Sequence, residues 1–185
     1  MRRCDRGAPK TASRLTRLAM LTTLALIIFV IELQIPNPIP IPGVKLGLAN
    51  IITVYVVYRY TAREAAMVVL ARVLLAAIIN GNMSALIYSL AGSALCILGM
   101  LAVRRILTGR YLWLSSVIGA ILHNTGQMIA ALLIAGHSAL VYYPFLLVSG
   151  CLTGAFTGIC AQLILRRHDG MLAPRKERER RRGGE

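Results

Sequence analysis

The chain has 185 residues, of which 57% are apolar and 15% charged, with 21 Lys and Arg against 7 Asp and Glu. A mean hydropathy of +0.67 excludes an ordinary water-soluble domain. The formal charge of +14 gathers at the two ends of the chain; beside long apolar runs it points to anionic lipid headgroups, not nucleic acid, as its counterpart.

The segment 1–14 is basic and reads as a cytoplasmic lead-in to a first span from about Leu15 to Ile35. No small-residue cleavage site follows that run and more apolar segments do, so it reads as a membrane span and not as a secretory signal. Pro36, Pro38, Pro40 and Pro42, closed by Gly43, cannot be helical, because proline removes donors and fixes extended geometry. A second span is expected from about Leu46 to Tyr60, short for a bilayer. Thr61-Ala62-Arg63-Glu64 has the form of a capping box opening a third span that runs to Asn80. After the turn Asn80-Gly81-Asn82, a fourth span covers about Ser84–Val103 and a fifth about Tyr111–Ala135. Gly136-His137-Ser138 turns the chain into a sixth, about Leu140–Leu165. The 166–185 tail is charged and is expected to be disordered or to lie on headgroups.

This is the pattern of an all-α integral membrane protein with six transmembrane helices in residues 15–165. Every Lys and Arg except Lys45 and Arg72 then falls on one side. The positive-inside rule makes that side the cytoplasm, with both termini there and the chain a multi-pass protein of the cell membrane.

Ionisable and amide groups inside spans are costly, about 2.5–3.5 kcal/mol for a central Arg on an insertion scale, so they mark candidate sites. Arg72 lies mid-way along the third span with Asn80 on its face at i+8. His123, Asn124 and Gln127 share a face of the fifth. Glu32 ends the first span, Lys45 and Asn50 flank the start of the second, and Asn80 and Asn82 mark an outer turn. One reading is a polar cavity toward the outer half of the bilayer that binds a small polar or anionic ligand through Glu32, Lys45, Asn50, Arg72, Asn80, His123, Asn124 and Gln127. The other is that Arg72 pairs with Glu32 or with the fifth-span amides, and that the polar stripe only joins helices.

Glycines four apart at Gly150, Gly154 and Gly158 allow close helix approach, and Ser115, Gly119, His123 and Gly126 form a similar strip. Both are read first as internal packing. The cysteines Cys4, Cys96, Cys151 and Cys160 form no CxxC pair and suit neither a zinc site nor a disulfide framework. The chain has no GxxxxGK[ST] loop to bind ATP phosphates, no aspartate cluster to hold Mg²⁺ on a diphosphate, and no nucleophile constellation. It is expected to be no enzyme by itself, with no metal and no cofactor.

Pro42-Gly43-Val44-Lys45-Leu46-Gly47-Leu48-Ala49-Asn50-Ile51 resembles the signature of the Gx transporter, or heptaprenyl diphosphate synthase component I, family. Ala71-Arg72-Val73-Leu74-Leu75, Ser89-Leu90-Ala91-Gly92 and His123-Asn124-Thr125-Gly126-Gln127 are similar to it as well. That family in turn resembles the S components of energy-coupling-factor (ECF) transporters. The likeness implies an S-component-like bundle that binds a small molecule from outside and docks on a coupling subunit with two ATPases. Docking in S components uses an alanine-x-x-x-alanine patch on the first helix. The nearest match here is Ala19 and Thr23, with Thr in place of the second Ala. The family name implies an alternative role: a non-catalytic membrane subunit in heptaprenyl diphosphate or quinone synthesis, or in quinone- or flavin-linked electron transfer.

Overall fold

The computed structural model describes residues 10–34, 47–81, 83–106 and 112–172. They form six α-helices: α1 (Lys10–Gln34), α2 (Asn50–Arg59), α3 (Ala62–Asn80), α4 (Met83–Ile106), α5 (Leu112–Ala135) and α6 (Tyr143–Leu172). A 3-10 turn, His137–Tyr142, leads into α6. The described residues contain no strand, and the bundle is an all-α membrane fold. Segments of α1, α4 and α5, and the stretch Leu140–Arg167, are long and apolar enough to cross a bilayer. Their outer faces are greasy where a soluble protein's would be polar: Met20, Ile27, Leu98, Leu133, Leu152 and Leu163 are all exposed.

The core forms around α2. Ile52, Val54, Val56 and Val57 are buried and pack with Ala65, Val68, Cys96, Met100, Ala161 and Leu165 from α3, α4 and α6. A helix that is apolar all round is stable only when walled in, and α2 touches four other helices. Its 10 residues reach about 15 Å, and it starts at Asn50, not near Leu46 as expected. Gly47 takes the left-handed backbone (φ 67°), which glycine adopts without steric cost. The turn it opens delays the helix: the Asn50 and Ile51 N–H groups donate back to the Gly47 and Leu48 carbonyls.

The tightest packing joins α5 to its antiparallel neighbours α4 and α6. A Cβ on Gly126 would lie 2.6 Å from the Ala91 carbonyl oxygen, and one on Gly158 would lie 2.6 Å from the Trp113 Cα. The glycine stripes therefore serve internal packing, letting backbones touch. Ser116 and Thr157 add a buried hydrogen bond of 3.1 Å across α5 and α6. By contrast α1 docks mainly on α3 and only lightly on α2.

One end of the bundle is basic. There the Thr61–Glu64 capping box opens α3 as expected, and Glu64 also takes two contacts from the Arg14 guanidinium, at 2.5 and 2.9 Å. Glu64 precedes the apolar run of α3; the hydrogen bonds from the Thr61 side chain and backbone, and then Arg14, hold its carboxyl below the usual carboxylate range. At the same end the Arg104 guanidinium donates to the Val57 and Tyr60 carbonyls, at the negative end of α2.

Two expectations change at the C-terminal side. The sixth helix proper begins at Tyr143, after the 3-10 turn, and it runs on to Leu172. The first residues of the tail, 166–172, are therefore helical: charge alone does not end a helix, and Arg, Leu and Met are good helix formers. The proline loop 35–46, Asn82, Arg110 and the two charged ends lie outside the described residues.

Candidate functional site

A cavity of about 130 Å³ opens among all six helices, at the level of the C-terminal halves of α1 and α3. Seven of the eight residues singled out for ligand binding line it: Glu32, Asn50, Arg72, Asn80, His123, Asn124 and Gln127. The eighth, Lys45, lies outside the described residues. Residues far apart in the chain converge because α1, α3 and α5 each direct one polar face inward, while the Gly47–Asn50 turn closes one side.

Glu32 is buried although it stands at the last turn of α1. Its Oε1 accepts the Gly47 backbone N–H, so the carboxylate ties the start of the α2 turn to α1. Non-helical backbone at membrane depth is tolerated where it is buried in protein or lines a cavity, and Gly47 and Ala49 both line this one.

Arg72 is only partly buried, and it lines the cavity. Among the described residues it makes no hydrogen bond and no ion pair. Neither a direct salt bridge to Glu32 nor a bond to the amides of α5 is therefore formed among the described residues, although the Glu32 carboxylate is near enough to attract the guanidinium. The side-chain amides of Asn50, Asn80 and Gln127 likewise form no hydrogen bond among the described residues.

Asn124 differs. Its Nδ2 donates to the Leu146 carbonyl at 2.6 Å and would stand 2.5 Å from a Cβ on Gly150. The Asn124 side chain thus joins α5 to α6 with one N–H and keeps its carbonyl oxygen and its second N–H for a ligand. His123 packs on Gly92 of α4, as does the Gln127 side chain; these two are held in place by α4 and not by bonds to each other. Thr125, next to them, bonds to Tyr143 at 3.0 Å and stabilises the same junction.

Sequence reasoning missed four hydroxyl residues of the wall: Ser89, Ser149, Thr153 and Thr157. Three of them sit at i, i+4 and i+8 on α6, each one position before a glycine of the stripe. The signal was present, but serine and threonine are common in membrane helices because they can bond back to their own backbone. Thr153 does this, donating to the Ser149 carbonyl at 2.9 Å. Phe29, Val73, Ala76, Ala77, Ala85 and Leu86 supply the apolar part of the wall.

The arrangement can hold a small molecule with directional hydrogen bonds and one strong cation. Its size is close to that of the roughly 150 Å³ cavity that admits benzene in an engineered protein. Among the described residues no three His, Cys, Asp or Glu side chains gather to hold a metal.

Ala19 and Thr23 lie elsewhere, on the exposed outer side of α1, with the Thr23 hydroxyl bonded to the Ala19 carbonyl.

The family model for heptaprenyl diphosphate synthase component I matches residues 21–164, and the chain belongs to that family. No curated protein and no solved structure matches the chain.

Proposed function

We propose that this member of the heptaprenyl diphosphate synthase component I family is a ligand-capturing membrane subunit of the S-component type. It takes a small polar molecule into its intramembrane cavity from the side opposite the basic end and passes it inward with ATPase partners. All six helices span the cell membrane in this reading, with both termini in the cytoplasm, and α2 completes its passage as a short helix walled in by its neighbours. One observation carries the proposal: the Arg72 guanidinium and the Asn50 and Gln127 amides, which make no hydrogen bond among the described residues, face one cavity inside a greasy bundle, with the exposed Asn80 at its rim. Polar side chains are costly to insert into a membrane, and a bound polar ligand would offset part of that cost.

The chain carries no phosphate-binding loop for ATP, so the energy for inward passage comes from partner subunits. Ala19 and Thr23, small and outward-facing on a helix that docks mainly on α3, form the surface for a coupling subunit. Small residues let a partner helix approach closely.

The family name favours a second reading, a non-catalytic component of heptaprenyl diphosphate synthesis. A cavity of about 130 Å³ is too small to enclose a heptaprenyl chain, so in that role the contact with product or partner would lie on another surface.

Native mass spectrometry of the gently solubilised protein, with co-purification from its own membranes, tests both readings. The first predicts a retained small molecule together with ATPase and coupling subunits. Recovery of a soluble prenyl synthase, with no retained ligand, would replace it with the second.

A further inference from the structure

We infer that the ligand is a small zwitterion, of amino-acid type, whose anionic group sits at Arg72 and whose ammonium sits at Glu32. This rests on the ligand-capture reading above and names the chemistry of that same cavity.

Among the described residues the cavity contains two opposite charges, which attract each other across it without forming an ion pair. Arg72 and Glu32 both line it, yet no ion pair joins them. The Gly47 N–H occupies only Oε1 of Glu32, and Oε2 makes no hydrogen bond among the described residues. A simple anion would satisfy Arg72 but would add a second negative charge near Glu32. A simple cation would do the reverse. In a medium of low dielectric each mismatch is expensive, because like charges repel strongly there and desolvation is not repaid. A molecule carrying both charges, oriented along the line between Arg72 and Glu32, satisfies both groups and adds no net charge to the cavity.

The remaining wall fits such a molecule. The unpaired amides of Asn50 and Gln127 can donate to a carboxylate beside the Arg72 fork. The Asn124 carbonyl oxygen, held in place by the bond from its amide nitrogen to Leu146, is an acceptor and suits an ammonium or another donor. Phe29, Val73 and Leu86 offer apolar surface for a short side chain. The volume, near that which admits benzene, sets the upper size at a small amino acid and not at a peptide or a polycyclic vitamin.

The test uses the full chain in lipid nanodiscs. Its unfolding temperature and its affinity are measured with the common free α-amino acids at millimolar concentration. For each amino acid that stabilises the protein, the decarboxylated amine and the deaminated acid are compared with it. The expected result is that at least one amino acid binds and that each analogue binds roughly tenfold more weakly or worse, the loss of one charged hydrogen bond. In Glu32→Gln, which can still accept the Gly47 N–H, the preference for the amino acid over its deaminated acid disappears. In Arg72→Gln, the preference over the amine disappears. A structural role for either residue would weaken all three probes alike. A deaminated acid that binds as tightly as its parent amino acid would overturn the zwitterion while leaving ligand capture intact. Absence of any shift with every amino acid would overturn the zwitterion too, and a retained ligand in the native mass spectrum would then still separate that failure from failure of the capture reading.

Discussion

Replacing Gly126 by Ala and, separately, Gly99 by Ala tests whether the α4–α5 contact is made by backbone. A Cβ on Gly99 would come within 1.9 Å of the Leu122 Cδ1, the shorter approach of the two, whereas one on Gly126 would stand 2.6 Å from the Ala91 carbonyl oxygen and 2.9 Å from the Gly92 Cα. Distance alone ranks Gly99→Ala as the worse change. The nature of the obstacle reverses the order. Cδ1 is the free end of a leucine, and a rotamer change that moves it costs about 0.5–1.5 kcal/mol. The gain of about 1 kcal/mol from replacing helical Gly by Ala roughly cancels that cost. Ala91 and Gly92 present main chain, which cannot rotate away, so α4 and α5 must separate. Overpacking of that kind costs about 3 kcal/mol at the upper end of its usual range, or about 2 kcal/mol net of the same helix gain. Thermal unfolding in nanodiscs should show Gly99→Ala within about 0.5 kcal/mol of the parent chain and Gly126→Ala lower by about 2 kcal/mol. Because Gln127 and His123 pack on Gly92, Gly126→Ala should also weaken ligand retention. A Gly99→Ala protein destabilised as much as Gly126→Ala would refute the backbone contact.

The Asn124→Leu change removes the 2.6 Å bond to the Leu146 carbonyl; that carbonyl still accepts from the Ser149 hydroxyl, so the change should cost about 0.5–1.5 kcal/mol, the net worth of one hydrogen bond, read from the same unfolding curves. Glu64→Gln removes the charge that binds Arg14, and its effect should depend on pH. The Glu64 carboxyl titrates below its ordinary value of 4.5 in the folded protein. Its contribution is therefore present above that value and disappears as pH falls through the folded one. The parent and Glu64→Gln melting curves should differ at neutral pH and converge in acid; a constant offset at every pH would contradict the pairing. Thr61→Ala removes the N-cap acceptor of α3 and should cost about 1 kcal/mol, checked by the same melts.

Much of the fold was legible because lipid leaves few choices: a backbone without water must bond to itself, and long apolar runs can do so only as helices. The runs that became α4 and α5 were accordingly placed to within a few residues. The α2 start was misjudged for a local reason. Leu46, Gly47 and Leu48 continue the apolar run, and hydropathy does not register that Gly47 turns the backbone left-handed. The C-terminal extension of α6 was misjudged for the opposite reason, since a change to charged residues resembles a helix end when no neighbour is known. Arg72, Asn50 and Gln127, which line the cavity, stood out in the sequence because their insertion is expensive and demands an explanation. The split role of Asn124 was not, because its donor goes to a carbonyl on another helix, which no spacing within α5 reveals. The Ser149, Thr153 and Thr157 wall was hidden behind the glycines beside it.

The most direct measurement uses two adjacent positions at one depth of α3, Leu75 and Ala76. Leu75 is 42% exposed on the outer side of the bundle, and Ala76 lines the cavity. Each is replaced by Cys in a chain whose four native cysteines are changed to Ala. Intact cells are then treated with a small membrane-impermeant thiol reagent. The cavity as described predicts that Ala76→Cys is labelled from outside and Leu75→Cys, facing lipid, is not. Labelling of Ala76→Cys only after the inner face is opened, or of neither position under any condition, would contradict a water-filled site that opens away from the basic end.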